Sequence, residues 1–213
     1  MKILITSDWY SPAVNGVVTS VKNLRRELER RGHEVRVLTL SQSRRSWEKD
    51  GVTYLGSIAA GLVYPGARLR TALAGKWVRE LIAWGPDVVH SQCEFSTFFL
   101  ARRIAEELDI PLVHTYHTVY EDYTHYFSPN VRFGKKAAAV FTRWAASHTD
   151  CLIAPTGKVR LLLQGYGVQK PVFVVPSGID LRRFRSEPDP LRQNVLKASL
   201  DIPRDRTVLV FVG

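Results

Sequence analysis

Short aliphatic, β-branched runs alternate with amphipathic stretches along most of this chain, and that alternation leaves few folds open. Ile3-Leu4-Ile5-Thr6, Val35 to Leu40, Val52 to Leu55, Asp87 to Ser91, Leu112 to His117, Cys151 to Ala154 and Val172 to Val175 read as strands. Nearly continuous apolar runs of this kind belong to strands buried on both faces. Helical periodicity occupies the stretch from Asn15 to Gly32, about Arg68 to Trp84, Phe95 to Leu108, about Val131 to Ser147 and Lys158 to Gly165. Strands separated by helices predict an α/β fold, a Rossmann-like doubly wound parallel sheet with helices on both faces and right-handed crossovers. The polar stretch Ser41 to Asp50 reads as a loop.

The first helix is the most legible. Val17, Val21, Leu24 and Leu28 fall on one face, Asn15 is placed to cap its start, and Gly32 can end it with a left-handed turn. Asn15, Gly16 and Val17 therefore form a strand-to-helix turn at the carboxyl edge of the sheet. Unpaired N–H groups and the positive end of the helix dipole suit such a turn to a phosphate. The bland alternative is that Gly16 serves backbone geometry alone. The turn is not Gly-x-Gly-x-x-Gly, and no acidic residue ends the second strand, which disfavours a nicotinamide cofactor.

Composition narrows the partners. The 213 residues carry a formal net charge of +10, which points to an anionic ligand, membrane surface or nucleic acid, unless the arginines are merely scattered. No apolar run approaches the roughly 20 residues of a membrane span, and the N-terminus has no signal-peptide pattern. Two cysteines, Cys93 and Cys151, form no disulfide framework or metal spacing. These features predict a cytoplasmic protein. Base-stacking spacing and known nucleic-acid modules are missing, so no nucleic-acid partner is expected.

The densest polar-aromatic cluster runs from His114 to Tyr126, at and beyond the end of the fifth aliphatic run, where ligands of open α/β sheets bind. His117, at the strand tip, is the leading functional candidate, whereas His90 and His114 read as buried, hydrogen-bonded strand-end residues. His117, Glu121 and His125 have four-residue spacing, but without a ligand signature the expectation is no metal site. The helix near 131–147 places Phe133, Ala137, Val140, Phe141 and Trp144 in one arc and Arg132, Lys135, Lys136 and Arg143 in another. Two readings stand: an interfacial helix on an anionic membrane, or a domain helix whose large apolar face packs on the sheet. Toward the end, Arg182 to Asp189 is polar and proline-bearing, Leu191 to Leu200 is helical, and Thr207 to Gly213 reads as a further buried strand, as though the chain stops just inside a second domain.

These residues also carry a resemblance. Asp8 to Val17, Gly32-His33-Glu34-Val35, Pro86-Asp87-Val88-Val89-His90 and Val175 to Asp180 resemble the retaining GT-B glycosyltransferases of family GT4. The run Tyr116 to Tyr126 resembles the bacterial diacylglycerol glucosyltransferases within that family. The resemblance implies the N-terminal half of a GT-B fold: an acceptor-binding domain over 1–185, an interdomain linker and helix over 186–205, and the first strand of a nucleotide-sugar domain over 206–213. It implies a nucleotide-sugar substrate, UDP-glucose, with no metal or other cofactor, and a fragment inactive without its C-terminal domain. Asn15, Gly16 and Val17 would meet the donor diphosphate, and His117 the transferred sugar. Glu121 and Asp122 would serve catalysis on the acceptor side, with Trp9, Tyr10, Tyr120, Tyr123 and His125 lining the acceptor. A lipid acceptor such as diacylglycerol would place Arg132, Lys135, Lys136, Phe141, Arg143 and Trp144 at an anionic membrane surface, peripheral on its inner face. The competing readings are a family member acting on phosphatidylinositol or a soluble glycan, and a non-enzymatic module binding anions or a protein.

Overall fold

The aliphatic runs pair into one sheet. A computed structural model describes residues 1–60, 68–71, 75–120, 131–181 and 189–211. In chain order the elements are β1 (Lys2–Thr6), α1 (Gly16–Arg30), β2 (Glu34–Leu40), β3 (Trp47–Lys49), β4 (Val52–Leu55), β5 (Ser57–Ala59), β6 (Arg68–Arg70), α2 (Gly75–Trp84), β7 (Val88–Ser91), α3 (Ser96–Leu108), β8 (Leu112–Thr115), α4 (Val131–Ser147), β9 (Cys151–Ala154), α5 (Gly157–Gly165) and β10 (Val172–Val174). The main sheet has the order β10-β9-β8-β7-β1-β2-β4-β3, and every neighbouring pair is parallel except β3 with β4. The chain builds outward from β1 through β2, then returns to pair β7 on the other side of β1. The strand order therefore reverses between β1 and β7, and a crevice at the carboxyl ends of those two strands is where such sheets take ligands.

Side chains along β1 alternate between two cores. Leu4 joins Leu38, Leu81, Phe98 and Ile104, while Ile3 and Ile5 join Val21, Val35 and Val37. Both sheet faces are thus covered, as the continuous apolar runs require. Asn15 caps α1 as expected: its Oδ1 accepts from the Val18 N–H at 2.9 Å.

Three expectations are corrected. The polar stretch 41–50 contains the edge strand β3, whose residues are all exposed and so carry no apolar alternation; Trp47 stacks on Tyr54 with ring centroids 3.8 Å apart. The helix expected from Arg68 starts only at Gly75, because Arg68–Arg70 pairs with β5 and the Arg68 guanidinium donates to Ser41 O, Ser57 Oγ and Gln42 O at 2.7–3.0 Å. The strand expected over 207–213 is not formed in the described part: residues 207–211 have no strand pairing, and Leu209, Val210 and Phe211 are exposed.

The chain divides into one compact unit over Met1–Gly178 and a second over Ile179–Gly213. The second unit contains a helix, Pro190–Ser199, capped by the Asp189 side chain on the Leu191 N–H at 3.0 Å. Leu4→Ala in central β1 removes a fully buried side chain from the larger core. It is expected to lower unfolding free energy by about 2–5 kcal/mol, measured by urea denaturation; a loss under about 1 kcal/mol would contradict this packing.

Candidate functional site

Three segments leave neighbouring strands at the reversal point. Residues 7–15 follow β1 and lead into α1, residues 92–95 follow β7 and lead into α3, and residues 116–120 follow β8. The helices that follow β1 and β7 treat their N-termini differently. At α3 the buried Asp8 carboxylate accepts from the Thr97 N–H at 2.7 Å and the Ser96 N–H at 3.1 Å, so this helix end already holds an anion from its own chain. Burial pushes the Asp8 carboxyl up to about 6, against the pull of those N–H donors.

At α1 the first turn has no acidic residue, and Asn15 is occupied with Val18. The N–H groups of Gly16 and Val17, at the helix start, lack intrahelical acceptors. Gly16 is exposed, and a Cβ placed on it would meet no atom within 4 Å. The helix end expected to take a phosphate is therefore open.

Gln92, Glu94 and His114 are buried beside this edge. The Glu94 carboxylate accepts from His114 Nε2 at 3.1 Å and from the Tyr120 hydroxyl. Burial, with the Glu94 charge beside it, holds the Tyr120 phenol well above its ordinary value, so it stays a donor. The partly buried His117 pairs through Nε2 with Gln92 Oε1 at 2.8 Å. Burial pushes His117 down to about 4; His114 adds to this and Glu94 opposes it, which leaves a neutral imidazole at pH 7. His90 and His114 are strand-end residues with partners, His90 bonding Thr115 Oγ1 at 2.7 Å.

The acceptor-side expectations are placed unevenly. Tyr10 is buried among Ile3, Ile5, Val21 and Val37, so its ring is a packing element and not an exposed acceptor contact. Trp9 is partly buried, its carbonyl accepting from Ser7 Oγ at 2.8 Å. Glu121, Asp122, Tyr123 and His125 lie outside the described residues.

Helix α4 divides its large apolar residues: Trp144 is partly buried and packs against the larger core beside Phe98, whereas Phe133 and Val140 are exposed. Its fully buried positions are small residues, Gly134, Ala138, Thr142, Ala145 and Ala146. Small side chains let the helix backbone approach its neighbours closely. Phe133 is 67% exposed and Val140 55%, and with Lys136, Ala137, Phe141 and Trp144 they line a shallow hollow of about 530 Å³. The aromatic surface continues onto α3: Phe95 stacks on Phe141 at 5.7 Å, Phe141 on Trp144 at 6.0 Å, and Phe99 lies 5.5 Å from Trp144. Tyr120 meets Phe95 and Phe141 edge-on, so the shelf runs from the Glu94 hydrogen bond outward. Arg132, Lys135 and Lys136 are exposed on the same helix. Arg143 is exposed too, but its guanidinium donates to the Tyr166 carbonyl at 3.1 Å.

Residues 14–183 match Glycosyltransferase Family 4. The chain belongs to this family. Among curated relatives, this family 4 chain is 33% identical over 197 residues to an alpha-monoglucosyldiacylglycerol synthase of Streptococcus pneumoniae, covering 92% of this chain and 44% of that protein. It is 34% identical over 223 residues to the enzyme of the same name from Acholeplasma laidlawii, covering 100% of this chain and 55% of that one. The chain thus spans about half the length of the relatives it matches. Its fold is similar to that of sucrose-phosphate synthase from Thermosynechococcus elongatus, with a TM-score of 0.62 at 17% identity over 96% of this chain and 53% of that one.

Asp8, Gln92, Glu94, Phe95 and Phe99 were not among the sequence-derived site residues. A signal for Gln92 and Glu94 was present, since they directly follow an aliphatic run at the sheet's carboxyl edge. Phe95, just before α3, and Phe99 in its first turn both present exposed rings. Burial pushes His90 down to about 3, with His114 and His117 adding to it. A folded-state value below the unfolded one means unfolding takes up a proton, so this stability is full above pH 6.5 and falls as pH drops toward 3. Asp8, raised to about 6, acts with the opposite sign between about pH 4 and 6. His90→Gln is expected to shrink the loss of stability between pH 7 and pH 5 by about 1–2 kcal/mol, read from urea midpoints; an undiminished loss would contradict the assignment.

Proposed function

We propose that this chain is the acceptor-binding half of a retaining glucosyltransferase that moves glucose from UDP-glucose to diacylglycerol at an anionic membrane surface. The reading rests most on one arrangement: an open helix end at Gly16 on the β1 side of the strand reversal, with an exposed aromatic shelf leading away from Glu94 and Tyr120. The names of the two relatives supply glucose and diacylglycerol as the chemistry to test.

In this mechanism the donor diphosphate lies against the N–H groups of Gly16 and Val17. Negative charge builds on the diphosphate as the glycosidic bond to the sugar breaks, and the positive helix end stabilises it. A side chain at residue 16 would keep the phosphate from the backbone. The neutral His117 bonds a sugar hydroxyl without adding a second positive charge to the oxocarbenium-like centre. The apolar acceptor chains rest on Phe95, Phe99, Phe141 and Trp144, which presents the lipid hydroxyl at the Tyr120 end; Glu121 and Asp122, next in sequence, are assigned to assist its deprotonation. No divalent metal is required. A C-terminal domain of the same protein supplies the remaining donor contacts, and the protein sits on the inner face of the cell membrane as a peripheral enzyme.

The full-length protein, given diacylglycerol vesicles and a panel of nucleotide sugars, is expected to form hexosyl-diacylglycerol with UDP-glucose as best donor. Gly16→Val and His117→Ala are each expected to lower that turnover about 100-fold or more. Unchanged turnover in both variants would favour a non-enzymatic module, and preference for phosphatidylinositol or a soluble glycan would overturn the acceptor. Near anionic lipid each basic residue contributes on the order of 1 kcal/mol. Lys135→Glu with Lys136→Glu is therefore expected to weaken sedimentation with anionic vesicles at least about tenfold, and salt to weaken the parent chain likewise. Binding indifferent to both changes would remove α4 from the membrane contact.

A further inference from the structure

We infer that Gln92 is a positioning residue that fixes the proton of His117 on Nε2 and so presents Nδ1 as an acceptor for a ligand hydroxyl. That the ligand is a sugar rests on the function proposed above; the protonation pattern does not. The Gln92 side-chain oxygen is 2.8 Å from His117 Nε2, and an amide oxygen can only accept, so Nε2 carries the hydrogen. Because the ring is neutral near pH 7, it carries one proton, and Nδ1 is left with its lone pair.

The surrounding groups leave this pairing undisturbed. Gln92 is only 2% exposed, and its backbone N–H is tied to Thr6 O at 2.8 Å, which anchors the residue at the β1–β7 junction. Among the described residues, the titratable groups that act on His117 are already engaged: Glu94 with His114 and Tyr120, and His90 with Thr115. The Gln92 NH2 group is buried with no partner among the described residues. Chemically, an acceptor Nδ1 favours a ligand that offers an O–H. Replacement of that hydroxyl by hydrogen or by a methyl ether would remove the bond.

The test uses the 213-residue chain labelled with 15N-histidine, in which two-bond proton–nitrogen spectra report the tautomer of each ring directly. His117 is expected as the Nε2–H form from pH 5.5 to 8. Gln92→Leu is expected to release the ring into a mixture of tautomers. Gln92→Glu keeps the side-chain shape and adds a charge; it is expected to raise the His117 titration midpoint by more than one pH unit, and it decides the matter should the leucine variant not fold. An Nδ1–H ring in the parent chain, or a midpoint unmoved in Gln92→Glu, would overturn the inference. In the full-length protein the same variant is expected to move the acid limb of donor kcat/KM upward with that midpoint. A shifted midpoint with an unshifted kinetic profile would leave the tautomer assignment standing and overturn the sugar contact of His117.

Discussion

Burying polar groups where strands end is the constraint on which the rest of the site depends. Asp8, Gln92, Glu94 and His114 are all withdrawn from water at the carboxyl edge of β1, β7 and β8. A buried carboxylate or imidazole without partners costs several kcal/mol. The partners it finds therefore dictate the shape of the edge. Asp8 takes the N-terminus of α3, Glu94 takes His114 and Tyr120, and Gln92 takes His117. Each bond ties a residue on one strand's outgoing loop to another element, so the loops after β1, β7 and β8 are held as one unit. The first turn of α1 lacks an acidic residue, and the proposed diphosphate contact falls there.

Helix α4 shows a second consequence of packing. Its fully buried positions are Gly134, Ala138, Thr142, Ala145 and Ala146, with Trp144 packed part-way against the core. Close approach along a small-residue face leaves Phe133 and Val140 outside, and Phe95 and Phe99 extend the aromatic surface from Phe141 and Trp144. An exposed apolar patch with cations beside it is the pattern on which the proposed membrane contact rests.

Most of the fold was legible because it follows from periodicity. The aliphatic runs of β1, β2, β4, β7, β8, β9 and β10 are strands, and the start of α1 could be read to the residue from Asn15. The short strands β3, β5 and β6 were not legible, since exposed edge and hairpin strands carry no apolar alternation and are held by contacts such as Arg68 to Ser41 that no local pattern records. For the candidate site, the positions of Gly16 at the start of α1 and of His117 beyond β8 were legible from the strand and helix pattern. Gln92 and Glu94 could not be ranked above their neighbours, because their importance lies in side-chain partners 20 or more residues away. The two readings of α4 stay open on sequence for a similar reason: amphipathicity gives the direction of the large apolar residues but not which of them pack inward.

The central claim is that one strand-reversal edge receives both the phosphate and the sugar of a donor, at the open end of α1 and at His117. A structure of the full-length protein with bound UDP-glucose measures this most directly. The account predicts the diphosphate within hydrogen-bond distance of the Gly16 or Val17 N–H and a sugar hydroxyl directed at His117 Nδ1. A nucleotide sugar bound with its diphosphate away from the start of α1 and its sugar out of reach of His117 would contradict it.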